Sequence, residues 1–116
     1  EVIGLRAAGV ARLMAHAVGP PLRLDGHTIG LGRLTGDTMP PHNGEMHPDG
    51  DEVLIMVSGV IDVDLELDAG TETVRLESGQ ALVVPQGVWH LIRLVKPGQL
   101  VNITPGPRGD YRPLAE

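Results

Sequence analysis

Four side chains of a kind that binds metal ions lie in two short stretches of this sequence. Glu45 and His47 are two residues apart, so on a β-strand they would face the same way. A turn-forming stretch at residues 48–50 follows, and Glu52 then opens an apolar run from which it can face back towards His47. Imidazole and carboxylate groups that converge in a dry pocket suit a divalent transition metal, so these residues predict a metal site.

The fourth side chain, His90, follows a Pro-Gly turn at residues 85–87 and opens another apolar run. On a strand, Ile92 and Leu94 share its face, which predicts that the imidazole points into the interior. A buried imidazole needs partners for both ring nitrogens, and a metal ion together with a hydrogen-bond acceptor supplies them. We therefore expect His90 to join the other three side chains at the metal.

The elements that position these side chains are predicted to be short β-strands. The chain contains 16 Gly and 10 Pro, and turn signals separate its apolar runs about every 8–12 residues. The clearest strand covers residues 60–67, where aliphatic and acidic residues alternate. Its carboxylates are expected to form a solvated face rather than a metal site: Asp62, Asp64 and Glu66. Further strands are expected at 27–35, 53–58, 71–77, 80–84, 88–95 and 99–104.

About eight strands in one small domain predict an all-β fold, a closed barrel or jelly roll with few exposed sheet edges. We expect residues 1–116 to form a single domain, with the barrel core at about residues 22–104. The structure of residues 1–18 stays open, because helix-favouring alanines are mixed there with β-forming residues. The tail, residues 105–116, is rich in turn-forming residues and is expected to lie over the surface.

Composition limits the partners and the location of the protein. The formal net charge is −6 with no visible basic patch, so no nucleic-acid partner is expected. No apolar run approaches the ~20 residues of a membrane span, so no membrane association is expected. Without cysteine, disulfides and thiolate metal sites are excluded, and the composition suits a cytoplasmic protein. Trp89 and Tyr111 are the only aromatic residues of the sequence, and they could cover apolar surface at a subunit contact.

The stretch from residue 79 to residue 90 resembles a motif of the cupin superfamily. It matches G-x5-P-x-G-x2-H, the first part of the second cupin motif, and Leu94 stands where that motif ends in Asn. The resemblance implies a double-stranded β-helix, or jelly-roll barrel, with one metal ion inside. The implied cofactor is a divalent transition metal, with Fe, Mn, Zn, Ni, Cu and Co all open.

The segment around His47 resembles the first cupin motif, G-x5-H-x-H-x3/4-E-x6-G. His47, Glu52 and Gly59 match it, whereas Glu45 stands at its first His and Met39 at its leading Gly. Each half-motif alone is a weak signal. In this order and at this spacing the two are similar to those of a small single-domain cupin, over roughly the barrel core.

The resemblance assigns metal-ligand roles to His47, Glu52 and His90, and it leaves the role of Glu45 open. We include Glu45 in the predicted metal set, because a carboxylate there would give a site of two imidazoles and two carboxylates. Glu45 could instead act as a general base beside the metal. A turn through Gly44 could also bring in His42 as a substitute imidazole.

Three functions from different classes are compatible with these residues. We expect a metal-dependent enzyme that acts on a small organic substrate, of dioxygenase, isomerase, cyclase or lyase type. The alternatives are a non-catalytic module that binds or senses a small molecule, and a structural protein whose site degenerated at Glu45. The ligand set favours the enzyme, because buried charge is costly without a partner. By resemblance to cupins, which often dimerise by sheet extension, we also expect a homodimer.

Overall fold

The computed structural model describes residues 2–5, 11–14, 25–36 and 42–113, with side chains for 25–36 and 43–113. Every regular element in these ranges is a β-strand, which confirms the predicted all-β class. In this part of the chain, no helix has the length and apolar character needed to cross a lipid bilayer. The strands found here are β1 Val2–Leu5, β2 Ala11–Met14, β3 His27–Leu34, β4 His42–Met46, β5 Glu52–Leu67, β6 Gly70–Glu77, β7 Ala81–Val84, β8 His90–Pro105 and β9 Asp110–Pro113.

Two strands of 16 residues each, β5 and β8, form the centre of the sheet. They pair antiparallel from Val53 opposite Ile103 to Leu65 opposite His90. On its other edge β8 pairs with β3, while β5 pairs with β7 near its start and with β6 after its midpoint. Strands β1 and β2, within the segment that the sequence left open, extend the same sheet beside β3.

The strand β5 joins two runs that the sequence predicts as separate strands on either side of Gly59. Met56 and Ile61 are both fully buried, so the inward-facing positions change from even to odd numbers across the glycine. The pairing with β8 shifts register between these two residues. Gly59 has a φ of +82°, and a Cβ there would lie 2.6 Å from the carbonyl oxygen of Lys96. Glycine therefore permits a β-bulge that bends β5 without ending it.

The interior of the barrel is aliphatic, as the scarcity of aromatic residues requires. The buried hydrophobic residues are Leu34, Leu54, Met56, Ile61, Val63, Leu65, Leu76, Val84 and Leu100. Polar side chains that are also buried include Thr28, His47, Glu52, His90 and Thr104. Because burying a polar group costs free energy unless it finds a partner, these residues indicate a built polar site inside an apolar barrel.

The outer face of β5 carries Asp62, Asp64 and Glu66, which are paired with arginines rather than only solvated. Each accepts a charge-assisted hydrogen bond from an arginine, at 2.6–3.0 Å. The pairs are Asp62 with Arg75, Asp64 with Arg93, and Glu66 with Arg112. The first two arginines lie on the neighbouring strands β6 and β8, so the ion pairs connect adjacent strands across the outer face.

Part of the tail forms the strand β9, whereas the sequence predicts only a turn-rich segment over the surface. Strand β9 pairs antiparallel with β4, and Tyr111 lies opposite Glu45. Arg108 donates hydrogen bonds to Asp49 through its backbone and its guanidinium group. The Arg112 guanidinium lies 4.1 Å from the ring centroid of Trp89, a cation–π contact. The tail strand therefore lies beside the strand that carries Glu45 and pairs with it.

Candidate metal centre

The sheet brings together the four side chains that the sequence singled out. Glu45 on β4 lies directly opposite His90 on β8. Glu52 opens β5, one position before the pair formed by Val53 and Ile103, while His47 follows the end of β4. One potential ligand atom from each of the four residues lies within 4.8 Å of all the others. A single metal ion could therefore contact all four side chains.

The turn that precedes His90 holds the loop that carries His47. The Gly87 N–H donates to the carbonyl oxygen of His47 at 3.0 Å. The Gln86 side-chain amide donates to the Pro48 carbonyl at 2.7 Å, and the Gln86 N–H donates to Asp51 at 2.8 Å. The two motif segments, far apart in sequence, are thus fastened to each other through the Pro-Gly turn.

Both imidazoles direct Nε2 at both carboxylates. His90 Nε2 lies 3.1 Å from Glu52 Oε1 and 3.4 Å from Glu45 Oε1. His47 Nε2 lies 3.3 Å from Glu52 Oε2 and 3.4 Å from Glu45 Oε1. Two nitrogen and two oxygen donors therefore face one small space, which is a donor set that divalent transition metals accept.

The histidines fit a metal ion better than they fit this hydrogen-bond environment alone. His47 is 3% exposed, and its Nδ1 and Nε2 are buried with no hydrogen-bond partner in the described part of the chain. Leaving buried polar atoms unpaired costs about 1–3 kcal/mol, so such atoms in a native protein indicate a missing partner. In His90, Nδ1 lies 3.3 Å from the Val88 carbonyl oxygen, so Nε2, which faces the carboxylates, is the atom that would bind a metal.

Opposite charges inside the cluster shift its pKa values strongly. Burial alone lowers the pKa of His90, but contacts with Glu45 and Glu52 outweigh it and raise the pKa to about 10. Burial alone raises the pKa of Glu52, but contacts with His47 and His90 lower it to about 2. The pKa of His47 is raised and that of Glu45 is lowered by the same contacts, again against the effect of burial. Without a metal, the cluster therefore pairs two imidazolium groups with two carboxylates.

Sequence reasoning missed two polar residues next to Glu52. The Thr104 hydroxyl donates to Glu52 Oε2 at 2.6 Å, and the Asn102 side-chain amide donates to Thr104 Oγ1 at 2.7 Å. A signal was available, because Leu100, Asn102 and Thr104 occupy alternate positions of β8. A strand that faces an apolar core with polar residues at inward positions indicates a partner for them.

The remaining histidines do not enlarge the cluster among the described side chains. The backbone of His42 begins β4, but its side chain lies outside the described part, so its role as a substitute imidazole stays a prediction. His16 lies outside the described residues altogether, and His27 is exposed at the start of β3.

A family model connects this geometry to known proteins. The Cupin_2 model, a cupin domain, matches residues 35–104, which is more than half of the chain. The chain belongs to the cupin family. The cupin domain accounts for the jelly-roll arrangement of its strands and contains all four residues of the cluster.

Solved structures with the same fold include metalloproteins. Oxalate decarboxylase of Bacillus subtilis, described with Mn(II) centres, is 16% identical with a TM-score of 0.60 and matches 74% of this chain. The Fe(II) form of HppE is 16% identical with a TM-score of 0.56, over 69% of this chain and 43% of its own. A conserved Streptococcus pyogenes protein of unknown function is 22% identical with a TM-score of 0.58, over 74% of this chain and 69% of its own.

These similarities concern the fold. The match spans 24% of the oxalate decarboxylase chain. None of the curated proteins matches the sequence. What the cupin domain binds and does must therefore be argued from its own residues.

Proposed function

We propose that this cupin domain binds one divalent transition-metal ion through Glu45, His47, Glu52 and His90 and is a metal-dependent enzyme for a small organic substrate. The observation that carries the proposal is His47, a buried imidazole with no hydrogen-bond partner for either ring nitrogen in the described part of the chain. Its Nε2 faces two carboxylates at 3.3–3.4 Å, beside a second imidazole. A divalent ion would replace the two protons of the imidazolium groups and leave the total charge of the cluster unchanged.

The donor set narrows the choice of metal. Two neutral imidazoles and two carboxylates balance the charge of a divalent ion, and the carboxylate oxygens favour metals with affinity for oxygen. Mn(II) and Fe(II) meet this description, and both are named for solved structures that share the fold. Zn, Ni, Cu and Co have a lower priority in this proposal.

Glu45 differs from the other three side chains in its access to water. Its side chain is 21% exposed, whereas those of Glu52, His47 and His90 are at most 4% exposed. A carboxylate at the boundary between the metal and the solvent can bind the ion, or it can take a proton from a substrate. We assign Glu45 to the metal set and regard the general base as its competing role.

The metal would supply Lewis acidity or, if it is iron, the capacity to activate dioxygen. The chain supplies an aliphatic interior that excludes water and almost no aromatic surface on which a ring could stack. These features favour a small, partly apolar carbonyl or carboxylate compound, transformed by an oxygenation, isomerisation, cyclisation or elimination. We also propose that the protein is cytoplasmic and forms a homodimer. Sedimentation at micromolar concentration tests the dimer.

A second candidate function is a non-catalytic module that binds or senses a small molecule. The observation that favours it is Glu45, which stands where the first cupin motif has a histidine. A ligand carboxylate or carbonyl could then occupy the metal without reacting. Metal binding without turnover in oxygen-uptake, isomerase and lyase screens would favour this second function.

Elemental analysis of the purified protein tests the metal site. We expect near-stoichiometric metal in the unaltered protein and a large loss in His47→Ala, Glu52→Ala and His90→Ala. Retention in Glu45→Ala would exclude Glu45 as an essential ligand and favour its role as a general base, whereas loss would make it a ligand. Glu72→Ala, an exposed carboxylate on β6, is the matched control and should retain the metal. Absence of metal after loading with each of the six ions would overturn the proposal.

A further inference from the structure

We propose that Asn102 and Thr104 are positioning residues that orient Glu52 so that its Oε1 atom binds the metal. This inference rests on the proposed metal site and adds the reason for one particular ligand geometry. Neither residue belongs to the cupin motifs that the sequence matches. Both lie near the end of β8, where it pairs with the start of β5.

The first step is the contact between Thr104 and Glu52. Thr104 is 1% exposed, and its hydroxyl donates to Glu52 Oε2 at 2.6 Å in a buried hydrogen bond. Because Val53 pairs with Ile103 in an antiparallel register, Glu52 and Thr104 are the next pair along the two strands and share one face of the sheet. A valine of the same shape would pack there without burying a hydroxyl, so the hydroxyl is useful only through its partner.

The second step fixes the direction of the hydroxyl proton. The Asn102 side-chain amide donates to Thr104 Oγ1 at 2.7 Å. A hydroxyl group has a single proton, and the incoming amide hydrogen bond occupies an acceptor site of its oxygen. The proton is therefore directed at Glu52, and the row from Asn102 through Thr104 to Glu52 runs in one direction.

The third step is the consequence for the carboxylate. Both oxygens of Glu52 face an imidazole, Oε1 at 3.1 Å from His90 Nε2 and Oε2 at 3.3 Å from His47 Nε2. Only Oε2 also accepts the hydrogen bond from Thr104. A hydrogen bond to one oxygen fixes the plane of the carboxylate and reduces the charge that this oxygen can offer to a metal. Oε1 is left as the stronger donor, which favours metal binding through one oxygen.

The fourth step concerns the space that the Asn102 side chain occupies. The neighbouring strand β3 leaves this space open at Gly30. Gly30 on β3 lies opposite Asn102, and a Cβ at Gly30 would stand 2.6 Å from Asn102 Oδ1. A side chain at position 30 would displace the amide that orients Thr104. Three strands therefore contribute to the orientation of one metal ligand: β3 through Gly30, β8 through Asn102 and Thr104, and β5 through Glu52.

Titration with Co(II), whose visible absorption reports both binding and ligand geometry, tests the inference. Removing a group that supports a metal ligand typically lowers metal affinity about 10–100-fold, and we expect this for Thr104→Val together with a changed Co(II) spectrum. Thr104→Ser restores the hydroxyl and should restore the spectrum and most of the affinity. Thr28→Val, which alters a buried threonine directly opposite Thr104, is the matched control and should leave both unchanged.

Asn102→Leu and Gly30→Ala provide an independent arm if Thr104→Val does not fold, which circular dichroism of the metal-free protein shows. Each should weaken Co(II) binding and shift the spectrum while Thr104 remains. Unchanged affinity and spectrum in the folded variants would overturn the positioning role and leave the metal site intact. Failure of the unaltered protein to bind Co(II) or any other of the six ions would overturn the metal site and this inference together.

Discussion

Glu52 and His90 lie at the starts of the two long central strands, whereas Glu45 and His47 lie on a five-residue strand and just after it. The long strands pair with each other along most of their length. Strand β4 pairs with β8 at one position, Glu45 opposite His90, and its other strand partner in the described chain is β9. The candidate site therefore joins a half built into the barrel core and a half built against the tail.

The two halves also differ in what holds their carboxylates. Glu52 is buried and receives a hydrogen bond from Thr104, so the core of the protein fixes it. Glu45 is partly exposed, and the tail beside its strand is tied down by the surface ion pairs of Arg108 and Arg112. Buried charge pairs are costly to break, whereas exposed ones contribute little. This contrast indicates a rigid Glu52 and an adjustable Glu45 around one ion.

The largest expected effect separates the two carboxylates in the metal-free protein. Glu52→Ala should lower the free energy of unfolding by about 3–5 kcal/mol, because it leaves buried imidazolium charge without its closest and most buried carboxylate. Glu45→Ala should lower it by about 1–2 kcal/mol, because water can replace part of the lost interaction. Urea unfolding with a chelator at pH 6 measures both. Equal losses for the two variants would contradict the contrast between the halves.

The pH dependence should reveal the same cluster with a smaller effect per pH unit. The pKa of His90 is raised from 6.5 to about 10, so its stabilising contribution is complete below pH 6.5 and is lost as pH rises towards 10. The pKa of Glu52 is lowered from 4.5 to about 2, so its contribution is complete above pH 4.5 and is lost as pH falls towards 2. Metal-free protein should be most stable between these limits, at about pH 4.5–6.5, and should lose at most about 1.4 kcal/mol per pH unit for each proton.

Metal affinity should change in the opposite direction above pH 6.5. A metal must displace protons from the imidazoles, so binding should strengthen as pH rises while the metal-free protein becomes less stable. Unfolding in urea and Co(II) titration across pH 6–9 compare the two slopes. Glu52→Gln, which removes the charge and keeps the shape, should flatten the pH dependence of stability. Parallel slopes for stability and affinity would exclude proton displacement from the cluster.

The sequence predicts the central strands better than the short strands β4 and β9 beside them. Alternation with period two and the turn before His90 are local signals, so the central strands and the placement of His90 and Glu52 were predictable. The continuity of β5 was missed because Gly59 looks like a strand end and acts as a bulge. The separate strands predicted at 88–95 and 99–104 were wrong in the same way, because β8 continues through Pro97 and Gly98. Strand β9 was missed because four residues that pair with a distant strand carry no pattern of their own.

The neighbours of Glu52 were unpredictable for a different reason. Asn102 and Thr104 are ordinary polar residues of a strand until the register of β5 and β8 places Glu52 beside them. Glu45 shows the converse case. Its spacing from His47 correctly placed both side chains in one cluster, although the family motif has a histidine at that position.

The smallest expected effect concerns the tail that supports the adjustable half. Arg108→Ala and Arg112→Ala each remove an exposed ion pair, so each should lower the free energy of unfolding less than either carboxylate variant does. The double variant should instead show local opening of β4 and β9. Hydrogen exchange of the backbone amides of β4 in the double variant should accelerate relative to those of β5.

Arg75→Ala is the matched control, since it breaks an ion pair of the same kind, from β6 to Asp62 on β5, and neither of these strands pairs with the tail strand β9. It should leave the exchange of β4 unchanged. Metal affinity should fall a few-fold in the tail variants and not in the control, because the tail strand pairs with the strand of Glu45 and β6 does not. If β4 and β5 accelerated together, the two halves would open as one unit, and the tail would stabilise the whole barrel rather than the Glu45 side of the site.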